Sequence, residues 1–205
     1  MLPASSTIIQ NVTAKYDRGL ALMGYYYFDF KTVAKQGIRG LLTSLLAQLC
    51  AKSDPCYHIL SGLYSENDAG SGQPGNAALI ECLKKMLVLP QQPIIYIILD
   101  ALDECSNTTG FPTAREEVLD ILEDLVTLNL PDLRTCVTSR PEIDIRDVLE
   151  PFTSLRVSLH DDSRQRQDIL DYINNVVHSD RRMGRWRLED RQLVIDALSA
   201  KADGM

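Results

Sequence analysis

Three carboxylates close an apolar run near the middle of the sequence. Ile94-Ile-Tyr-Ile-Ile-Leu99 leads directly into Asp100, and Asp103, Glu104 and Cys105 follow within one turn. Six strand-forming residues in a row without alternation describe a strand covered on both faces, as in the interior of a parallel sheet. Ligands of open α/β sheets bind at the carboxyl ends of the strands, so acids delivered there stand where a metal or a phosphate would sit. In that setting Asp100 would direct Mg²⁺ through water, and Asp103 and Glu104 would lie near an attacking water. The competing reading makes Asp100 a cap for the following turn and the other two solvated loop acids. A second polar strand end, Arg134-Thr-Cys-Val-Thr-Ser-Arg140-Pro141, would neighbour Asp100 in a parallel sheet. Arg140 there would meet a γ-phosphate and the negative charge developing on it. Its alternative is an ion pair with Asp103 or Glu142.

The elements that must hold these groups are read from periodicity. Ser5–Lys15 reads as a short helix and Leu20–Phe30 as an aromatic-rich strand. Ile38, Leu41, Leu42, Leu45, Leu46 and Leu49 recur at helical spacing and form one apolar stripe. Residues 65–75 read as a surface loop, and Ala77–Val88 as a helix. Thr113 and Glu116 have the spacing of a capping box, opening a helix whose stripe is Val118, Ile121, Leu122, Leu125 and Val126. Leu133–Ser139 and Ser154–His160 read as further strands. Beyond Asp162 the pattern is helical, with Ile169, Ile173, Val176 and Val177 on one helix and Val194, Ala197 and Leu198 on another. Alternating strands and helices predict an α/β fold, a parallel sheet with helices on both faces, over residues 1–162, and a helical appendage over 163–205. That appendage has no stop signal on its last helix, so the chain is expected to end inside it.

Composition narrows the function classes. The 205 residues carry 21 basic and 28 acidic side chains, a net charge of −7, which disfavours sequence-independent nucleic-acid binding. The longest apolar run stops at Leu99, far short of the roughly 20 residues of a membrane helix, and the N-terminus lacks a signal-peptide pattern. A cytoplasmic protein with neither nucleic-acid nor membrane partners is expected. Five cysteines without a C-x-x-C pair indicate reduced thiols, not a zinc site. Neither G-x-S-x-G nor H-E-x-x-H is present, which argues against an ordinary hydrolase or zinc protease. Arg181-Arg-Met-Gly-Arg-Trp-Arg187 reads as an exposed connection in preference to a phosphate or nucleic-acid grip, and Tyr25, Tyr26 and Tyr27 as strand packing.

The order YYYFDF, GIRGLLTSLLAQL, PIIYIILDALDEC, LRTCVTSRPE and SLRVSLHDDS, with a helix following, resembles the NACHT NTPase module of fungal STAND-class, NLR-like signalling proteins. These are often labelled nephrocystin 3-like N-terminal domains and include vegetative-incompatibility proteins. LDALDEC is similar to the family's extended Walker B segment and TSRP to its sensor 1. The resemblance implies a three-layer P-loop NTPase-like fold binding Mg²⁺ with ATP or GTP. It makes Asp100 the Mg²⁺-directing acid, Asp103 and Glu104 the catalytic acids and Arg140 the nucleotide-binding sensor. It also implies effector and repeat domains, or homologous chains in oligomers, as partners.

One part of that pattern is missing. A P-loop requires G-x-x-x-x-G-K-[ST], whose amides and lysine hold the phosphates, and this sequence contains no Gly-Lys dipeptide. Gly70-Ser-Gly-Gln-Pro-Gly75 satisfies G-x-G-x-x-G only literally, since no strand precedes it and Pro74 lacks an amide donor. In the resembled family the loop lies just before the helix matched by Ser5–Val12, so the chain is expected to start after the first strand and P-loop. Several charge-assisted hydrogen bonds of roughly 1.5–3 kcal/mol each would be lost. The expectation is a module unable to bind or hydrolyse ATP or GTP alone. The alternatives are an interaction scaffold of NLR-like assemblies, or a competent NTPase whose loop lies in upstream sequence. Within the sheet, the missing strand would leave a slot of about 9–10 Å, so Ser154–His160 is expected to slide against Leu133–Ser139 or to be loosely held.

Overall fold

The computed structural model describes residues 4–32, 35–67, 72–108, 110–158 and 163–202. The chain divides into two compact units, Met1–Phe152 and Thr153–Met205; the boundary expected from the sequence is 162/163.

The first unit runs α1 (Ala4–Asp17), β1 (Ala21–Tyr27), α2 (Ile38–Cys50), α3 (Asp54–Glu66), α4 (Asn76–Leu87), β2 (Ile94–Asp100), α5 (Ala114–Thr127), β3 (Leu133–Val137) and α6 (Ile143–Leu149). The strands form a parallel sheet in the order β1-β2-β3, with Gly24 opposite Ile97 and Ile97 opposite Thr135. Side chains alternate across a strand, and both faces of β2 are used. Ile95, Ile97 and Leu99 join Leu22 and Tyr26 in the main core with α2, α4 and α5. Ile98 packs with Met23 and with Val12 of α1 on the opposite face. This is why β2 is apolar without interruption. All six residues of the expected stripe on α2 are buried. At Gly24 helix α2 packs against the strand too closely for a side chain, since a Cβ there would lie 2.9 Å from Leu45 Cδ2. The capping box of α5 is formed in both directions, with Glu116 N donating to Thr113 Oγ1 at 3.2 Å and Thr113 N donating to Glu116 Oε2 at 2.7 Å.

The structure corrects four readings. Residues 154–158 form no strand, with Leu155 79% and Val157 71% exposed; His160 and residue 159 lie outside the described residues. Alternation supplied the pattern of a strand, but the sheet among the described residues consists of β1, β2 and β3 alone. Strand β1 ends at Tyr27, three residues before the expected Phe30. Helix α3 occupies Asp54–Glu66, shortening the expected loop; it starts where Ser53 caps the Cys56 amide and Pro55 fits the first turn. Only Cys56 of α3 is buried, so its apolar stripe is thin. Helix α6 has only seven residues and buries only Ile145. The glycine-rich segment before α4 follows this helix α3, and Gly75 is the N-cap of α4.

The second unit contains α7 (Ser163–Ser179) and α8 (Leu188–Ala202). Ile173, Val177 and Ile195 form its core. The stripe expected on α8 is out of phase, since Ile195 is buried while Leu198 is 46% exposed. Arg181–Arg187 forms the exposed connection between the two helices, with Asp180 Oδ1 accepting the Arg182 and Met183 amides. No helix among the described residues is long and apolar enough to cross a membrane.

Two substitutions separate the core from the exposed segment 154–158. Leu42→Ala, at a fully buried position, should cost about 2–5 kcal/mol, read as a lower midpoint in urea denaturation. Leu155→Ser should change stability by no more than about 0.5 kcal/mol; a loss comparable to that of Leu42→Ala would return residues 154–158 to a buried strand.

Candidate functional site

The carboxyl ends of β2 and β3 are tied together through Thr138. Its amide donates to Leu99 O at 2.9 Å and its carbonyl accepts from Leu102 N at 3.0 Å. Its hydroxyl accepts from Ala101 N at 3.1 Å and donates to Asp100 Oδ1 at 2.5 Å. Between those two residues the chain turns sharply: Ala101 lies in the left-handed region at φ 55°, ψ 49°, a conformation an L-residue adopts at a cost of roughly 1–2 kcal/mol. The turn lets Leu102 enter the core and sets Asp103 and Glu104 in a single 3₁₀ turn on the rim.

Each of these acids has a partner within the chain. Asp103 Oδ1 accepts the Arg140 amide at 3.1 Å, and Oδ2 lies 3.4 Å from Arg140 Nε. The Asp103 side chain is 10% exposed and that of Arg140 is 79% exposed, so the guanidinium closes over the carboxylate from the solvent side. Glu104 Oε2 accepts from Phe30 N at 3.3 Å, across from the end of β1. Asp103, Glu104 and Arg140 line one cavity of about 390 Å³ together with Phe30, Gln36 and Arg115. Asp100 is not on its wall; its half-buried carboxylate faces Thr138 instead. The structure therefore gathers three of the four residues read as site candidates, and Arg140 takes the ion-pair alternative with Asp103.

Two residues were missed from the sequence. Thr138 is one; Arg115 is the other, buried at 5% exposure near the start of α5. Its Nε donates to Cys105 O at 3.1 Å, Nη2 to Asp103 O at 2.5 Å and Nη1 to Asp144 Oδ2 at 3.0 Å. One guanidinium thus satisfies two carbonyls of the acidic turn and anchors them to α6. A planar five-donor group suits this task and an ammonium does not. The signal was available: Arg115 falls in helical phase with Val118 and Leu122, a charge on the apolar stripe.

A metal held by protein groups alone does not fit. No group of three or more His, Cys, Asp or Glu side chains converges among the described residues, and each carboxylate oxygen named above already accepts a hydrogen bond or faces a cation.

The cysteines are free, and burial pushes the Cys105 and Cys50 thiols from the ordinary 9.0 up to about 11. Arg115 beside Cys105 acts in the opposite direction and is outweighed. The folded chain therefore keeps these protons where unfolded thiols have released them, so stability should fall as pH rises between about 9 and 11. Cys105→Ala should flatten that decline in urea midpoints measured across the window. Arg115→Ala should cost about 2–4 kcal/mol, since it strands two buried carbonyls, and Arg115→Lys should recover less than half of the loss. Full recovery by lysine would show that charge, not the donor fork, is what the site needs.

Neither a curated protein nor a solved structure matches the chain. The family model for nephrocystin 3, N-terminal, matches residues 4–140, from the start of α1 to Arg140, three residues past the end of β3. That is two thirds of the 205 residues and contains the whole sheet, the acidic turn and Thr138, and on this ground the chain belongs to the nephrocystin 3 N-terminal family.

Proposed function

We propose that this chain is a NACHT-type nucleotide-binding module of a fungal STAND-class, NLR-like signalling protein, working in the cytoplasm, that does not bind or hydrolyse ATP or GTP by itself. The observation that carries this reading is the placement of Asp103, Glu104 and Arg140 around one cavity at the carboxyl ends of adjacent parallel strands. Such strand ends are where α/β sheets bind ligands. In a complete site, Asp100 would direct Mg²⁺ through water, Asp103 and Glu104 would orient the attacking water, and Arg140 would leave Asp103 for the γ-phosphate. The helices on both faces of the sheet support the P-loop-like part of the reading.

The chain's own groups supply too little for phosphate binding. Residues 1–205 contain no Gly-Lys dipeptide, and both arginines that line the cavity are engaged within the chain, Arg140 by Asp103 and Arg115 by Asp144. Effector domains, repeat domains or homologous chains are the partners through which such a module would act. The engagement of Asp100, Asp103 and Glu104 by the chain itself favours a second reading, an interaction scaffold in which the acidic turn is structural.

Equilibrium titration with a fluorescent ATP analogue and Mg²⁺ separates these from a competent enzyme. The expected result is no saturable binding at micromolar concentrations, for the chain and for Asp100→Ala alike. Micromolar affinity that Asp100→Ala abolishes would overturn the proposal.

A further inference from the structure

Charge is divided unevenly between the two units. Residues 1–152 carry 12 basic and 19 acidic side chains, which is the whole net charge of −7, while residues 153–205 carry nine of each. Within the second unit the cations are gathered in one place. Arg181, Arg182, Arg185 and Arg187 fall within seven residues, and no acid stands between Asp180 and Glu189. Reading this segment as a plain connection rests on the negative charge of the whole chain, which the second unit does not share.

The segment is an ordered turn. Gly184 N donates to Asp180 O at 2.9 Å, Arg185 N to Arg182 O at 3.3 Å and Trp186 N to Met183 O at 3.0 Å. The half-buried Met183 packs on the core of Ile173, Val177 and Ile195, and around it all four arginines, Trp186 and Leu188 are exposed. The 15 residues of α8 place its far end about 22 Å away, so the turn is the tip of the helical hairpin. Asp180, the nearest acid, accepts the Arg182 and Met183 amides. Glu189 and Asp190 lie in the first turn of α8, where they complement the positive pole of that helix. No ion pair among the described residues uses any of the four arginines.

We propose that this turn docks on an anionic phospholipid surface as a peripheral contact. A guanidinium offers phosphate two parallel hydrogen bonds and is more weakly hydrated than an ammonium. Indole rings settle at the boundary between headgroups and acyl chains, and the exposed Leu188 adds apolar area at the same level. Four cations beside such side chains are what attracts a protein to a negatively charged leaflet. Single-stranded nucleic acid is the poorer occupant, because its bases need successive aromatic platforms and Trp186 is the only ring in the turn. A peripheral contact requires neither an apolar span nor a positive charge on the whole chain. Four exposed arginines make it weak and salt-sensitive. The proposal uses neither the cavity nor a nucleotide and stands apart from the function proposed above.

Trp186 is the only tryptophan of the chain, so its emission reports on the turn directly. The test titrates the full chain with vesicles of phosphatidylcholine alone, or with about a third phosphatidylserine, and follows Trp186 emission together with co-sedimentation. The expected result is a blue shift and sedimentation with the anionic vesicles only, both reversed by about 0.5 M salt. Arg185→Gln/Arg187→Gln should weaken partitioning about tenfold or more and Leu188→Ser about threefold. Arg146→Gln, at an exposed cation of the first unit, should leave it unchanged. No binding, binding indifferent to phosphatidylserine, or a loss in Arg146→Gln equal to that in the double variant overturns the proposal. Quenching of Trp186 by oligothymidylate at concentrations where anionic vesicles have no effect does so too, and would make the turn a nucleic-acid contact. A blue shift that grows with protein concentration in the absence of vesicles also overturns it, by burying the turn between copies.

Discussion

Strand β2 must be covered on both faces and paired on both edges, because it has no polar side for water to wet. Ile95, Ile97 and Leu99 require α2, α4 and α5, while Ile98 requires α1. Edge pairing to β1 and β3 satisfies its backbone. With those demands met, the end of β2 has only one place to emerge, and Asp100 marks the point where the chain leaves the core. The left-handed turn at Ala101, the burial of Leu102 and the presentation of Asp103 and Glu104 follow from that exit. Thr138 and Arg115 then fix the turn from two sides, one through the neighbouring strand and the other through α5.

The acidic turn illustrates how an ion pair and a backbone clamp divide labour. The exposed Arg140 guanidinium contributes little stability to Asp103, since solvent screens a pair that is largely open on one partner. The Arg140 amide and the buried Arg115 contacts are not screened in the same way, and they set where the turn lies. An arginine that is 79% exposed can leave its carboxylate for a better anion at small cost, whereas Arg115 cannot leave without stranding Asp103 O and Cys105 O. Mobility and rigidity are thus assigned to two different arginines at one site.

How much of this was legible depended on how many residues carried each signal. Strand β2 and helix α2 were readable because every apolar position repeated one message, and the Thr113–Glu116 box because two side chains specify it reciprocally. Helices α3 and α6 were not, since each buries a single side chain and so shows almost no stripe. Residues 154–158 were misread for the converse reason: alternation of Leu155 and Val157 describes a strand, but a strand also needs a partner edge brought to it, which a local pattern does not encode. Asp103, Glu104 and Arg140 were found because strand ends expose such groups, and the ion pair weighed as their alternative is the one formed. Thr138 and Arg115 escaped because their partners, backbone atoms together with the carboxylates of Asp100 and Asp144, lie on other elements and are brought to them only by the fold.

The central claim is that the acidic turn is satisfied by the chain's own groups, and amide hydrogen exchange reads it residue by residue. Phe30, Ala101, Leu102 and Arg140 amides, which donate to Glu104, Thr138, Thr138 and Asp103, should all exchange slowly, and their rates should not change when Mg²⁺ and ATP are added. Exchange at open-chain rates, or protection that arises only with Mg²⁺ and ATP, would contradict the account and describe a site that waits for its ligand.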